Sequence, residues 1–305
     1  LLTKQLNMYN EQFAVMNLVL FNQAMEHISR ISRIIDNPRG NAMLVGVGGS
    51  GKQSLAKLAS FICGYDVFQI AVTSTYGIPD FKVDLLGMYT KAGVKSTPVS
   101  FLMTDGQIID ERMLVYINDL LASGYIPDLF TPEDKDNFSN SVRPEVKQAG
   151  IIDTPENCWE FFIAKVRKYL HVVLCFSPVG DKMRIRARNF PALISSTVID
   201  WFQPWPHEAL VSVAGRFLAE ITDIAPEVME NMQFHMAEVH LKVTEASEQF
   251  LTAERRYNYT TPKSYLELIN LYKALLNQKR TELTQAKQRL ENGVDKIAQA
   301  SAQVA

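Results

Sequence analysis

The chain has 305 residues, 47% of them hydrophobic, enough to fill a sizeable core in one large domain or two smaller ones. Its 31 basic and 33 acidic residues leave a net charge of -2, which excludes a strongly basic nucleic-acid-binding domain and a polybasic membrane surface. No apolar run approaches the roughly 20 residues needed to span a bilayer, so neither nucleic acid nor membrane is expected as a partner.

The opening stretch "LLTKQLNMYN" carries no secretory leader and reads as the interior of a longer chain. Three cysteines are scattered, and two of them, Cys63 and Cys175, sit in apolar runs that read as buried core. That usage fits a reducing, intracellular setting. Residues 18 to 35 space Phe21, Met25, Ile28, Ile31 and Ile35 at three and four, which predicts a helix with one buried face. "AMLVGV" then predicts a short strand that enters "GVGGSGKQS", and "KQSLAKLASFICG" predicts a helix ending at Gly64.

That glycine-rich stretch nearly matches the phosphate loop G-x-x-x-x-G-K-[S/T]. Gly46, Gly48, Gly49, Ser50 and Gly51 can turn backbone N–H groups around a phosphate chain, and the following helix adds its partial positive charge. Lys52 is placed to reach the β- and γ-phosphates. The motif departs from its rule at Gln53, which offers an amide oxygen where a hydroxyl should hold magnesium. Ser54 comes one residue late, about 100° further round the helix.

Further apolar runs at 67–71, 99–104, 171–177 and 196–200 predict buried strands of a mainly parallel sheet. Helical patterns in "DERMLVYINDLLASG" and "PENCWEFFIAKVRKYL" alternate with them, giving an α/β core. The strand "VSFLMT" ends in Thr104-Asp105, where an ATPase of this kind would carry Asp-Glu. Two registers are open. Asp105 is either a base shortened by one methylene, with Thr104 a weak magnesium partner, or the metal carboxylate itself, followed by Gly106 and no base.

After "HVVLCF" the chain delivers Ser177, either a short polar group that orients water or a turn residue before Pro178. Arg184, Arg186 and Arg188 alternate in "RIRAR", so an extended segment would point all three one way. They form either a solvated loop or a contact with a neighbouring module's nucleotide. The five histidines show no ligand spacing, and no metal beyond a nucleotide's magnesium is expected. From about residue 206 the pattern is all helical. Leu276, Leu283, Leu290 and Ile297 then recur every seven residues, with Val294 a second seam position, which predicts a coiled coil whose partner helix lies outside the chain.

Taken together, "LVLFNQAMEHISRI", "PRGNAMLVGVGGSGKQSLAKLASFI", "RPEVKQAG" with "DTPENCWEFF", "RNFPALISSTVIDWFQPWP" and "TPKSYLELI" resemble the fourth AAA+ module of an axonemal dynein heavy chain. The resemblance covers essentially the whole chain. It implies a P-loop AAA+ fold, with a mainly parallel sheet flanked by helices and a small all-helical subdomain that runs into a coiled-coil helix. The implied divisions are a linker from the preceding module (1–17), the large α/β subdomain (18–205), the small helical subdomain (206–275) and the start of the stalk (276–305).

By position, the resemblance assigns Gly46, Gly48, Gly49, Gly51 and Lys52 to the phosphate loop, and Thr104 and Asp105 to the metal and base pair, with Gln53 beside the magnesium. Ser177 falls at sensor 1, Lys263 at sensor 2, and Ser196 at the position of an arginine finger. The implied cofactor is ATP or ADP with magnesium. The implied partners are neighbouring modules of the same heavy chain, the return helix of the stalk, microtubules beyond the stalk tip, and dynein intermediate and light chains. The implied location is the cytoskeleton of a ciliary or flagellar axoneme. The leading expectation is a regulatory nucleotide-binding module with slow hydrolysis. The competing ones are a fully active ATPase using Asp105 and a structural spacer that carries the stalk.

Overall fold

The computed structural model describes residues 1–222 and 224–304. The chain divides into two compact units, Leu1–Pro204 and Trp205–Ala305. In the first, five strands form one fully parallel sheet: β1 (Ala42–Val45), β2 (Asp66–Phe68), β3 (Val99–Thr104), β4 (Leu170–Phe176) and β5 (Val198–Trp201), in the order β2-β3-β4-β1-β5. The central strands are mainly apolar because both faces are covered, and their buried polar residues are bonded: Ser100 accepts from the Ser60 hydroxyl at 2.9 Å, and the His171 ring lies 2.6 Å from the Gly40 carbonyl. All of β1 and β4 is buried, and so is β3 up to Thr104.

The two-residue pleat sorts these strands into two cores. Met43, Val45, Phe101, Met103, Val172, Leu174 and Phe176 face one layer, while Ala42, Leu44, Leu102, Val173 and Cys175 face the other. The second layer holds α1 (Leu2–Gln12), α2 (Asn22–Asp36) and α3 (Lys52–Ile62), anchored by Leu6, Ile28, Ile31, Ile35 and Leu58. The expected linker 1–17 therefore contains a helix, and the helix expected from residue 18 begins at Asn22. Cys175 and Cys158 are buried, whereas Cys63, read from its apolar run as core, is only half-buried and its thiol lies 3.7 Å from the Ser32 carbonyl.

The first layer holds α4 (Ile78–Tyr89), α5 (Arg112–Ser123), α6 (Pro132–Gln148) and α7 (Pro155–Tyr169), with a single π-helical turn at Thr90–Val94 after α4. Helices α4 and α6 are additions to the sequence reading. The cue for α6 is present: Thr131 caps it reciprocally with Asp134, Pro132 opens it, and Phe138, Val142 and Val146 recur every four residues toward the core. Its high polarity and the internal Pro144 hide that pattern.

Two short helices, α8 (Lys182–Asn189) and α9 (Ala192–Ser195), link β4 to β5. The "RIRAR" segment is thus helical and not extended. Its three arginines diverge around the helix: Arg184 and Arg188 are exposed, while Arg186 turns inward and is buried.

The second unit is α10 (His207–Leu218), α11 (Pro226–Glu254) and α12 (Pro262–Val304), packed around Leu210, Val213, Leu218, Met236, Tyr265 and Ile269. The Tyr265 hydroxyl donates to the Leu210 carbonyl at 2.8 Å, which satisfies the one polar group of a fully buried ring. Helix α12 runs without a break through the expected stalk start. Leu283, Leu290, Val294 and Ile297 lie exposed along it, an apolar seam without a cover among the described residues. No helix among the described residues is long and apolar enough to cross a membrane.

Candidate nucleotide site

Three neighbouring strands, β3, β4 and β1, end together at the same sheet edge, with Val45 level with Phe176 and Thr104 level with Cys175. In open parallel sheets that edge is where ligands bind. The segments leaving these strands meet there: the loop 46–51 after β1, Asp105 after β3 and Ser177 after β4. They line a cleft of about 620 Å³ together with Lys52, Gln53, Ser54 and Thr104. Lys263, also singled out in the sequence, belongs to the second unit, at the start of α12, where it is exposed and 3.8 Å from Glu267. Ser196 caps α9 just before β5, at the opposite sheet edge.

The loop is built as a cradle. Gly49 and Gly51 adopt φ of 80° and 89°, which other residues enter only under strain. Gly46 is required for space, since a Cβ there would fall 2.6 Å from Phe202 Cβ and 3.1 Å from Ser50 Oγ. The N–H groups of Gly48, Gly49 and Gly51 make no hydrogen bond within the described residues, as expected of donors that await an anion. Gly46→Ala is therefore expected to lower nucleotide affinity and the unfolding midpoint together; calorimetric titration and thermal unfolding check it, and an unchanged affinity would show that the loop tolerates displacement.

Lys52, the first residue of α3, folds back over this loop. Its ammonium donates to the carbonyls of Gly46 (2.6 Å) and Val47 (2.8 Å) and to Ser50 Oγ (3.2 Å). These are neutral acceptors, so the charge lacks a directly bonded counter-ion. Burial pulls its pKa below the usual lysine value, opposed by the more distant Cys175 and Asp105. An ammonium so placed gains most from a phosphate. Cys175, in the cleft wall, is the converse: burial pushes its thiol up to about 12, so it stays neutral and inert.

The groups that would serve a metal or an attacking water are already engaged. Asp105 Oδ2 accepts the Ser177 backbone N–H at 2.5 Å, and Oδ1 accepts Arg186 Nη1 at 2.6 Å. Arg186 also forks onto Glu111, with Nη2 2.7 Å and Nε 3.1 Å from Oε1, and its guanidinium lies over the Phe176 ring at 5.5 Å. The Thr104 hydroxyl donates to Gln107 Oε1 at 3.1 Å, and Gln107 in turn donates to the Ile70 carbonyl at 2.7 Å. The Gln53 amide oxygen accepts from Gln69 at 3.4 Å. Ser177 Oγ accepts the Val179 N–H at 3.3 Å, as the turn reading of this residue anticipates.

Sequence reasoning thus gathers the cradle, Thr104, Asp105 and Ser177, and misses the part played by Arg186, Glu111 and Gln107. In the sequence Arg186 stands out only as one of an alternating triplet. Nothing local distinguishes it from Arg184 or Arg188.

A family model for the P-loop containing dynein motor region D4 matches residues 16–275. The chain is 69% identical over 303 residues to the dynein beta chain of the flagellar outer arm from Chlamydomonas reinhardtii, covering 99% of this chain and 7% of that one. It is 57% identical over 304 residues to human dynein axonemal heavy chain 17, and 56% identical over 304 residues to the ciliary dynein beta chain of Heliocidaris crassispina, covering 100% of this chain and 7% of each. The chain therefore spans about 7% of the length of these relatives. A nucleotide cradle between β1 and α3, set in a parallel sheet and matched by that model over most of the sequence, places the chain in the P-loop-containing dynein motor region D4 family.

Proposed function

We propose that this chain is the nucleotide-holding, regulatory module of an axonemal dynein motor that moves along microtubules and drives ciliary or flagellar beating. In this reading it holds ATP or ADP tightly, hydrolyses it slowly, and couples the motor ring to the stalk. The observation that carries the proposal is the contrast within one cleft. The cradle has free N–H donors and Lys52 a charge held only by neutral acceptors, while each oxygen of Asp105 already accepts a bond, from Arg186 and from the Ser177 N–H.

The residues present fit a nucleotide's phosphates, because Gly49 and Gly51 supply the left-handed backbone, Gly48 leaves open space, and the N–H groups of all three are unpaired within the described residues. Bound there, a nucleoside triphosphate supplies the phosphoryl group and its magnesium the charge neutralisation that its transfer requires. Gln53, Thr104 and Asp105 are the oxygen ligands for the magnesium. The Thr104 hydroxyl keeps a lone pair free, whereas the ion competes with Arg186 and the Ser177 N–H for Asp105 and with Gln69 for Gln53, at a cost in hydrogen bonding. That cost supports slow turnover over the reading of a fully active site based on Asp105. The cleft and its unpaired N–H donors speak against a spacer that binds nothing.

Around the module the proposal places neighbouring AAA+ modules of the same heavy chain, intermediate and light chains, and microtubules reached through the stalk tip. The exposed seam Leu283, Leu290, Val294 and Ile297 supports a return helix that packs on α12. Lys263 is proposed as the sensor 2 residue. The test is single-turnover hydrolysis in a ring in which only this site is intact, alongside nucleotide titration with and without magnesium. Tight binding with slow release of phosphate is expected; fast turnover abolished by Asp105→Ala alone would sink the regulatory reading.

A further inference from the structure

A second group of cations sits at the opposite edge of the sheet, remote from the phosphate loop. Arg39 precedes β1 and Arg167 lies in the last turn of α7. Both line a partly open cavity of about 200 Å³ that also touches Asn41, Ser196, Leu120 and Ala122. No carboxylate lines it, and neither arginine takes part in an ion pair among the described residues. Two arginines on one cavity wall without a counter-ion repel each other, weakly where Arg39 is exposed and more where Arg167 is half-buried.

The local backbone is arranged to hold them there. Arg39 adopts φ of 66°, a left-handed conformation that glycine would enter more cheaply, and such an outlier points toward function. It is held at both ends: its N–H donates to the Arg167 carbonyl at 3.2 Å, and its own carbonyl accepts from the Asn41 amide at 3.2 Å. Asn41 is fixed in turn, its side-chain oxygen accepting the Val172 N–H at 2.8 Å. The stem of Arg167 crosses Gly124, the left-handed cap of α5, where a Cβ would come within 2.5 Å of Arg167 Cγ. Glycine is thus needed at 124 both for its conformation and for the passage of this arginine. Burial, and then the charge of Arg39, lower the Arg167 pKa, as expected of a cation that lacks an anion.

We propose that Arg39 and Arg167 form a subsite for a dianionic phosphoryl group, with Ser196 as a hydroxyl donor at its rim. Two planar forks carry two charges and several parallel donors, which match a phosphoryl dianion better than a single carboxylate. The leucine and alanine wall on one side excludes water and strengthens the attraction. The group is either free inorganic phosphate or the terminal phosphate of a nucleotide presented from outside this cavity.

The test monitors ³¹P line broadening of inorganic phosphate, and separately of ATP, on the chain carrying Lys52→Ala so that the phosphate loop contributes little. Acetate competition serves as the carboxylate control. Saturable broadening is expected, at least roughly tenfold weaker in both Arg39→Gln and Arg167→Gln and little displaced by acetate. Broadening by inorganic phosphate identifies the free ion as sufficient, and broadening by ATP alone identifies a nucleotide tail. Arg39→Gln guards against misfolding, since that side chain is exposed. Unchanged broadening in both variants, no broadening by either probe, or equal displacement by acetate would overturn the proposal.

Discussion

Replacing Arg186 with alanine is expected to make nucleotide binding more dependent on magnesium and to lower the unfolding midpoint. Arg186 is 7% exposed, but its partners Asp105 and Glu111 are 36% and 59% exposed, so both carboxylates can be rehydrated once the guanidinium is gone. The stability loss should therefore fall near ~1.5–3 kcal/mol, the range for hydrogen bonds to charged groups, and below the cost of stranding a fully buried ion. The functional effect comes from geometry. Asp105 Oδ1 would lose its 2.6 Å partner and become available to a metal or to a water beside it. The ratio of nucleotide affinity with magnesium to that without should rise several-fold, read by titration under both conditions. Glu111→Gln provides the control, because it weakens the hold on Arg186 without touching Asp105. Should both variants leave the magnesium ratio unchanged, Arg186 is a structural strut and does not restrain Asp105.

Lys52→Ala is expected to weaken ATP and ADP binding by roughly 10- to 100-fold, equivalent to losing ~1.5–3 kcal/mol of charge-assisted hydrogen bonding. Stability should change little or rise slightly, since Lys52 bonds only to neutral loop acceptors and its burial disfavours its charge. The contrast between a large loss in affinity and a small change in midpoint separates a binding residue from a loop brace. Titration calorimetry and thermal unfolding of the same preparation read both. A collapse of the fold with Lys52→Ala would instead make the lysine a scaffold for the loop.

Much of the cradle is legible in the sequence because its determinants are local. An apolar run, closely spaced glycines and an amphipathic helix are contiguous, and the backbone freedom of glycine needs no distant partner to express itself. The central strands are legible for a similar reason: a parallel strand covered on both faces is mainly apolar, and β3 is bounded from its residues alone. The runs at 67–71 and 196–200, also expected to be buried, instead give β2 and β5 at the two edges of the sheet, largely exposed because each has a strand neighbour on one side only. Helix α6 is lost because its core-facing residues are few among many charges. Only the docking of Val142 and Val146 against α7 and the π-helical turn at Thr90–Val94 makes that face a core face.

The sequence by itself determined that a strand, a phosphate loop and a helix succeed one another, that a parallel sheet carries them, and that a heptad seam ends the chain. Those features depend on period and backbone conformation within a few residues. Tertiary structure alone decided which of three arginines matters and what Asp105 is free to do. Arg186 meets Asp105 across 81 residues of sequence, and the Ser177 N–H meets it across 72. It also brought Arg39 and Arg167 to a shared cavity from before β1 and from the end of α7. Charges spaced evenly along a chain are equivalent until packing buries one and exposes its neighbours, because the energy of an ion pair depends on distance and solvent access in the folded state.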